Sequence, residues 1–174
     1  MNKVFEIELP LQIERPRKRP KVVRGSAKAV VDMSPIVTVL CPTLNQYRDL
    51  PRFAKMAAAK EIDARIAAAL PLHPAAHWGG RRELVKHGKQ TRRTSVGGSR
   101  RHVRVTRFSS RQPDEISIDA AGAKIALDRL VAADVLGGDS KAWIEREARW
   151  ERAKPGRGFL RIEVFDLDHA STPA

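Results

Sequence analysis

His102-Val103-Arg104-Val105-Thr106-Arg107-Phe108 alternates between side chains that seek a core and side chains that seek water, the period of a strand with one buried face. Beyond it, residues 119–134 carry helical spacing, and residues 159–165 alternate again through Leu160, Ile162 and Val164. A strand, a helix and a strand in that order ask for a sheet with a helix packed on it. The stretch between the helix and the last strand reads two ways. Ile144, Arg146, Ala148 and Trp150 alternate, while Trp143, Glu147 and Trp150 would share one helical face. The turn pair Pro155-Gly156 favours a hairpin, so a strand is expected over 143–150, paired with 159–165. Trp143 and Trp150 are candidates for interface anchoring, with a core role expected for at least one of them.

The upstream half extends the same plan. Phe5, Ile7 and Leu9 alternate with Glu6 and Glu8, which predicts a strand from Val4 to Leu9. A second strand is expected from Ile36 to Cys41, where β-branched residues dominate. Asp49 stands where an N-cap belongs and Pro51 suits a first turn, so a helix is expected from Phe53 to Leu70, stopped by Pro71. Ile62, Ile66 and Leu70 form its apolar row. Arg52, Lys55, Lys60 and Arg65 keep much of the rest positive, either to lie on phosphates or simply as a solvated face.

Two segments resist a regular reading. Arg15-Pro16-Arg17-Lys18-Arg19-Pro20-Lys21, with Arg24 close behind, combines two prolines with like charge and is expected to form an exposed basic arm over 15–24. Residues 71–101 lack periodicity and are expected to form a basic loop, with a turn at Gly97-Gly98. The resulting order, β-β-α-(basic loop)-β-α-β-β, predicts an α/β or α+β fold with a mixed sheet and helices packed against it. One domain over 1–174 is expected, with a frayed tail at 168–174.

Charge narrows the partner. The chain carries 33 Lys and Arg against 20 Asp and Glu, a net +13. Residues 1–110 hold 23 of those cations against 8 acids, whereas residues 111–174 hold 10 against 12. Positive charge pooled in one part of a chain builds a surface for a polyanion. A membrane surface would want a basic amphipathic helix with large apolar residues opposite, and the basic helix here is alanine-rich. Nucleic acid, above all DNA, is the expected partner, with no membrane. An RNA-binding protein rests on charge alone, and five Phe, three Trp and one Tyr are few for a base-stacking platform. The phosphate contacts are expected from Arg17, Lys18 and Arg19 in the arm and from Arg81, Arg82, Lys86, Lys89, Arg92, Arg93, Arg100 and Arg101 in the loop. A single cysteine, Cys41, permits no internal disulfide, and no signal-peptide pattern opens the chain, so a cytoplasmic protein is expected.

A carboxylate cluster works against DNA affinity unless it holds a divalent cation, and Mg²⁺ is held by one or two carboxylates with water and phosphate. Asp114, Glu115, Asp119, Asp128 and Asp139 span a strand end, a helix and the following loop, and Lys124 stands four residues before Asp128 on one helix face. Carboxylates so arranged can converge on an ion that activates water at a phosphodiester, beside a lysine that steadies charge on the phosphate. Each residue also has a plainer reading: Asp119 as an N-cap, Asp114 and Glu115 as loop solvation, Lys124 and Asp128 as an ordinary helix pair.

Asp114-Glu115-Ile116-Ser117-Ile118, then Lys124, Asp128, Leu130, Val135-Leu136, Asp139-Ser140 and Trp143-Ile144, resembles the RusA family of Holliday-junction resolvases, found in phages and prophages. The upstream Pro42-Thr43-Leu44-Asn45 resembles that family's Pro-x-x-Asn lead-in, and the strand Phe159 to Phe165 has its counterpart. The likeness covers about two thirds of the chain, strongest from Thr106 to Val164, and leaves the arm and the basic insert unexplained. It implies a homodimer that cuts two opposed strands of a junction, with Mg²⁺ as cofactor. It implies catalytic roles for Glu115 (or Asp114 after a one-residue slip), Asp139 and Lys124. Three motif positions depart from the family. Ser117 and Ile118 stand where an aspartate and an asparagine are found, and Gly138 replaces the first aspartate of an Asp-Asp pair. Two readings follow: an active Mg²⁺-dependent structure-specific endonuclease, or a RusA-like DNA-binding or scaffold protein whose chemistry is lost.

Overall fold

A computed structural model describes residues 1–16, 21–24, 29–32, 34–87, 90–113, 118 and 122–167, with side chains left aside at 21–24, 29–32, 44, 86–87 and 90–93. The fold is α+β, with a mixed four-stranded sheet. Strand β1 (Asn2–Pro10) pairs antiparallel with β10 (Phe159–Asp166), β10 pairs antiparallel with β8 (Arg101–Ser109), and β8 pairs parallel with β9 (Ile144–Arg152). The strand expected at 143–150 therefore exists, but it is not hairpinned to the last strand. The turn at Pro155-Gly156 instead carries the chain over the end of β8, so that β9 and β10 flank it on opposite sides. Ala153 N donates to Ser109 O at 3.0 Å, which fastens that crossing.

Register explains why one face of this sheet is dry. Directly opposed residues share a face, and two rows read Phe5–Val164–Val103 and Ile7–Ile162–Val105, all buried. The opposite face is a lattice of charge: Arg161 to Glu8 at 2.6 Å, Arg104 to Glu147 at 2.7 Å, and Lys3 to Glu163 at 3.5 Å. An antiparallel sheet with one solvated face reads as clean alternation, which is why these strands were legible.

The dry face is covered by α2 (Arg52–Ala69) and α3 (Lys124–Ala132), which bury Ala58, Ile62 and Ile66 and Ile125, Ala126, Leu127 and Leu130 respectively. Arg129 Nε donates to Asp63 Oδ1 at 2.6 Å and ties the two helices together. Asp49 does not cap α2. It ends a separate helix, α1 (Leu44–Asp49), whose start is a capping box between Thr43 and Gln46, and Pro51 occupies the cap position of α2. The α-helical part of the second helix begins at Lys124, behind π-helical backbone at Ile118 and Gly122, and Asp119 lies outside the described residues.

The two segments read as irregular contain strands. Residues 71–101 open with two short 3₁₀ turns (Leu70–Leu72 and Pro74–Ala76), then form an antiparallel ribbon of β6 (Arg81–His87) and β7 (Gln90–Val96). The turn expected at Gly97-Gly98 is present, with φ of +69° and +79°, a conformation that side chains with a Cβ rarely adopt. In the arm, Arg15 closes β2 (Gln12–Arg15), paired with β5 (Ile36–Val39), and Lys21 to Arg24 form β3 (Lys21–Arg24), paired with β4 (Ala29–Asp32). The tail at 168–174 lies outside the described residues. No helix among the described residues is long and apolar enough to cross a membrane.

Candidate functional site

Lysine is an awkward residue with which to open a helix, because its charge faces the positive end of the helix dipole. Lys124 occupies that position in α3 and resolves the conflict with two carboxylates. Its Nζ donates to Asp128 Oδ1 at 2.8 Å, one turn along, and to Asp139 Oδ2 at 2.8 Å, on the loop that leads into β9. Burial works against the ammonium, yet the two carboxylates outweigh it and raise its pKa. The same hydrogen bond holds the Asp139 carboxyl below its usual range against the effect of burial. At neutral pH Lys124 is thus held as an ammonium against an ionised Asp139.

The loop that carries Asp139 is set from below. Trp78, buried, packs edge-on against Trp143 with ring centroids 5.4 Å apart. The pair presses on Gly137 and Gly138: a Cβ at 137 would fall 2.8 Å from both rings, and one at 138 would fall 2.6 Å from Trp143 Cδ1. Arg101 completes the support. It is 1% exposed, and its guanidinium donates to the carbonyls of Ala75, Ala76, His77 and Val135. Its Nε lies 3.0 Å from Asp166 Oδ1, an ion pair that is not aligned as a hydrogen bond. The sequence places Arg101 among the phosphate contacts; it is instead a buried clamp between the 75–77 segment and the Asp139 loop, and presents no charge to a ligand. Arg107 is also buried and donates to Cys41 O at 3.2 Å, while burial pushes the Cys41 thiol up to about 12.

Asp139 forms the shared wall of two clefts. One, of about 640 Å³, is bounded by Arg100, Lys141, Glu145 and Arg146. The other, of about 360 Å³, is bounded by Arg82, Ser95, Gly138 and Trp143. A third cleft, of about 230 Å³, is lined by Asp128 together with Arg52, Lys55 and Arg129. Cations therefore share a cleft with each of the two acids. Several are engaged within the chain: Arg100 with Glu145 at 2.9 Å, Arg82 with Asp134 at 3.1 Å and with the Val131 carbonyl, and Arg146 with the Asp139 carbonyl.

Of the acids read from the sequence, Asp128 and Asp139 meet at Lys124, and Asp114, Glu115 and Asp119 lie outside the described residues. Among the described residues no three His, Cys, Asp or Glu side chains converge. The two that meet offer hard oxygens of the kind Mg²⁺ takes, around a point that already stabilises positive charge. Ile118 is buried in the core and supplies no polar group. Among the predicted phosphate contacts, Arg17, Lys18, Arg19 and Lys89 lie outside the described residues. Arg81 is exposed and paired with Glu83, and Lys86, Arg92 and Arg93 take ribbon positions opposite Thr91, Val85 and Leu84. Lys141, Arg146 and Arg129 join the site without having stood out in the sequence. Of the three, Lys141 alone had a local signal, two residues after Asp139.

No family model matches the chain, and no curated protein matches it.

Proposed function

We propose that this is a DNA-binding protein of RusA-like type, a Mg²⁺-dependent endonuclease that acts on branched DNA in recombination or repair. The observation that carries the reading is Lys124 bridging Asp128 and Asp139 between cation-lined clefts. Cationic walls suit the phosphates on either side of a scissile bond, and a carboxylate pair suits the metal that such a bond requires. Asp139 and Asp128 would hold Mg²⁺, with Asp114, Glu115 or Asp119 completing the set, and the bound ion would activate water and stabilise charge on the phosphorus centre. Lys124, held protonated, contributes charge at the phosphate; Arg146, by gripping the Asp139 carbonyl, orients the loop. A homodimer, with one protomer for each of two opposed strands, and a cytoplasmic setting in a bacterial or phage-infected cell belong to the same reading.

A second reading has its own observation. An aspartate at position 138 needs a Cβ where Trp143 already stands, and a site with one carboxylate fewer binds metal less well. In that case the fold binds branched DNA without cutting it. Labelled four-way junctions incubated with the protein in Mg²⁺ and in Mn²⁺, beside an Asp139→Asn variant, separate the two. The nuclease reading expects paired cuts that disappear in the variant. Tight junction binding with no cleavage in either metal would overturn it in favour of the second reading, and cleavage that survives Asp139→Asn would overturn the site.

A further inference from the structure

Large apolar side chains left in water near a charged site are worth explaining when they come as a group. At the first turns of α2, Phe53 is 74% exposed and Met56, one helical turn on, is 63% exposed. Among the described residues the Phe53 ring makes no aromatic contact, although Lys55 beside it lies 4.3 Å over the Tyr47 ring. Met56, Arg52 and Lys55 line the cleft that Asp128 also lines, so Met56 borders the acid cluster and Phe53 stands on the helix just before it. Its surroundings are cationic: Arg48, Arg52, Lys55 and Lys60 against Asp49 alone over residues 44–60. A protein partner seated on Phe53 and Met56 would have to bury that charge. A DNA partner neutralises it while offering flat base faces to the apolar tips.

We propose that Phe53 and Met56 form a wedge that stacks on base pairs laid open at a DNA branch point, with Arg52 and Lys55 on the flanking phosphates. An intact duplex has no free base face and gains little from the wedge, whereas a junction exposes one at each arm. The wedge is thus the part of the surface that distinguishes branched from linear DNA, and it sets the branch point beside Asp128 and Asp139. This rests on the DNA-binding half of the proposed function and not on cleavage.

The test uses the full chain carrying Asp139→Asn, so that nothing is cut, with a four-way junction bearing 2-aminopurine at the branch and a linear duplex of the same arms. Phe53→Ala is expected to weaken junction binding roughly tenfold, leave duplex binding within about twofold, and abolish the branch-specific fluorescence change. Phe53→Tyr, which keeps the ring, should retain both signals. Arg52→Ala should weaken junction and duplex alike. Equal loss on both DNAs, or no loss on either, overturns the wedge. So does a sedimentation experiment in which Phe53→Ala splits a dimer, because the patch then belongs to a second copy. If the parent protein binds neither DNA, the DNA-binding reading itself falls, an outcome distinct from a parent that binds yet is indifferent to Phe53.

Discussion

Replacing Arg101 by methionine keeps most of the apolar stem and removes the guanidinium from the centre of the molecule. Four carbonyls, those of Ala75, Ala76, His77 and Val135, lose their donor, and Asp166 loses its partner. An orphaned buried acceptor costs about 1–3 kcal/mol, and relaxation of the 75–77 segment recovers part of the total. The expected net loss is ~3–5 kcal/mol, what remains of several orphaned acceptors after that relaxation, and a large share of a typical domain's ~5–15 kcal/mol. Urea unfolding followed by tryptophan emission and far-ultraviolet circular dichroism should show the midpoint falling by roughly 2 M with the slope unchanged. Trp78 and Trp143, which sit on the clamped loops, should also become more solvated in the folded variant. Arg101→Lys should recover little, since an ammonium cannot fork to carbonyls on two segments. A loss under about 1 kcal/mol would refute the clamp. An unchanged fold with a flatter salt dependence of DNA binding would restore Arg101 to the surface role its sequence position suggests.

Replacing Arg82, Arg92, Arg93 and Arg100 with alanine should weaken DNA binding and reduce the slope of log K against log salt by about 0.9 for each phosphate left without its cation; an unchanged slope in a filter-binding titration would place the phosphates elsewhere. Glu147 accepts hydrogen bonds from Arg104, Arg149 and His102, and the Arg104 bond leads in lowering its pKa to about 2. Its contribution is present above the ordinary glutamate value near 4.5 and is lost as pH falls toward 2, so Glu147→Gln should flatten the decline of the unfolding midpoint across that window. Gly138→Asp should cost about 1–3 kcal/mol through overpacking against Trp143, read as a lower thermal midpoint; a variant as stable as the parent and able to bind Mn²⁺ would show that the ring moves aside freely. Lys124→Met should raise the Asp139 pKa, measurable by carboxylate nuclear magnetic resonance, because the leading cause of its depression is removed.

What could be read from the sequence follows from where each residue's environment is decided. Strands β1, β8 and β10 were legible because one face meets the core and the other meets water, and that contrast is written into the alternation itself. The ribbon of β6 and β7 was not: the exposed Leu84 and the charged residues around it leave no apolar period to find. Thr43 and Gln46 do carry the spacing of a capping box, but Asp49 suits the cap of the next helix so well that α1 goes unnoticed beside it. The pairing of β9 is a different failure. Its partner is 43 residues back in the chain, and the tempting turn at Pro155-Gly156 tells only that the chain reverses, not which strand it lands beside. Within the site, Lys124, Asp128 and Asp139 came from spacing and resemblance together. Arg101 misled because charge counts treat every arginine as exposed, while four converging carbonyls are a fact of three dimensions.

The order of strands in the main sheet has a consequence for how the chain reaches its native state. β1 and β8 make no ladder with each other; both bond to β10, which arrives last among the described strands. While the polypeptide is still being synthesised, Phe5, Ile7 and Leu9 therefore lack the strand that shelters them, and the half-sheet of β8 and β9 keeps the β8 edge raw. Assembly is gated by residues 159–166. A chain released before they emerge would hold two fragments with sticky borders, a target for chaperones or aggregation and not a partly working protein.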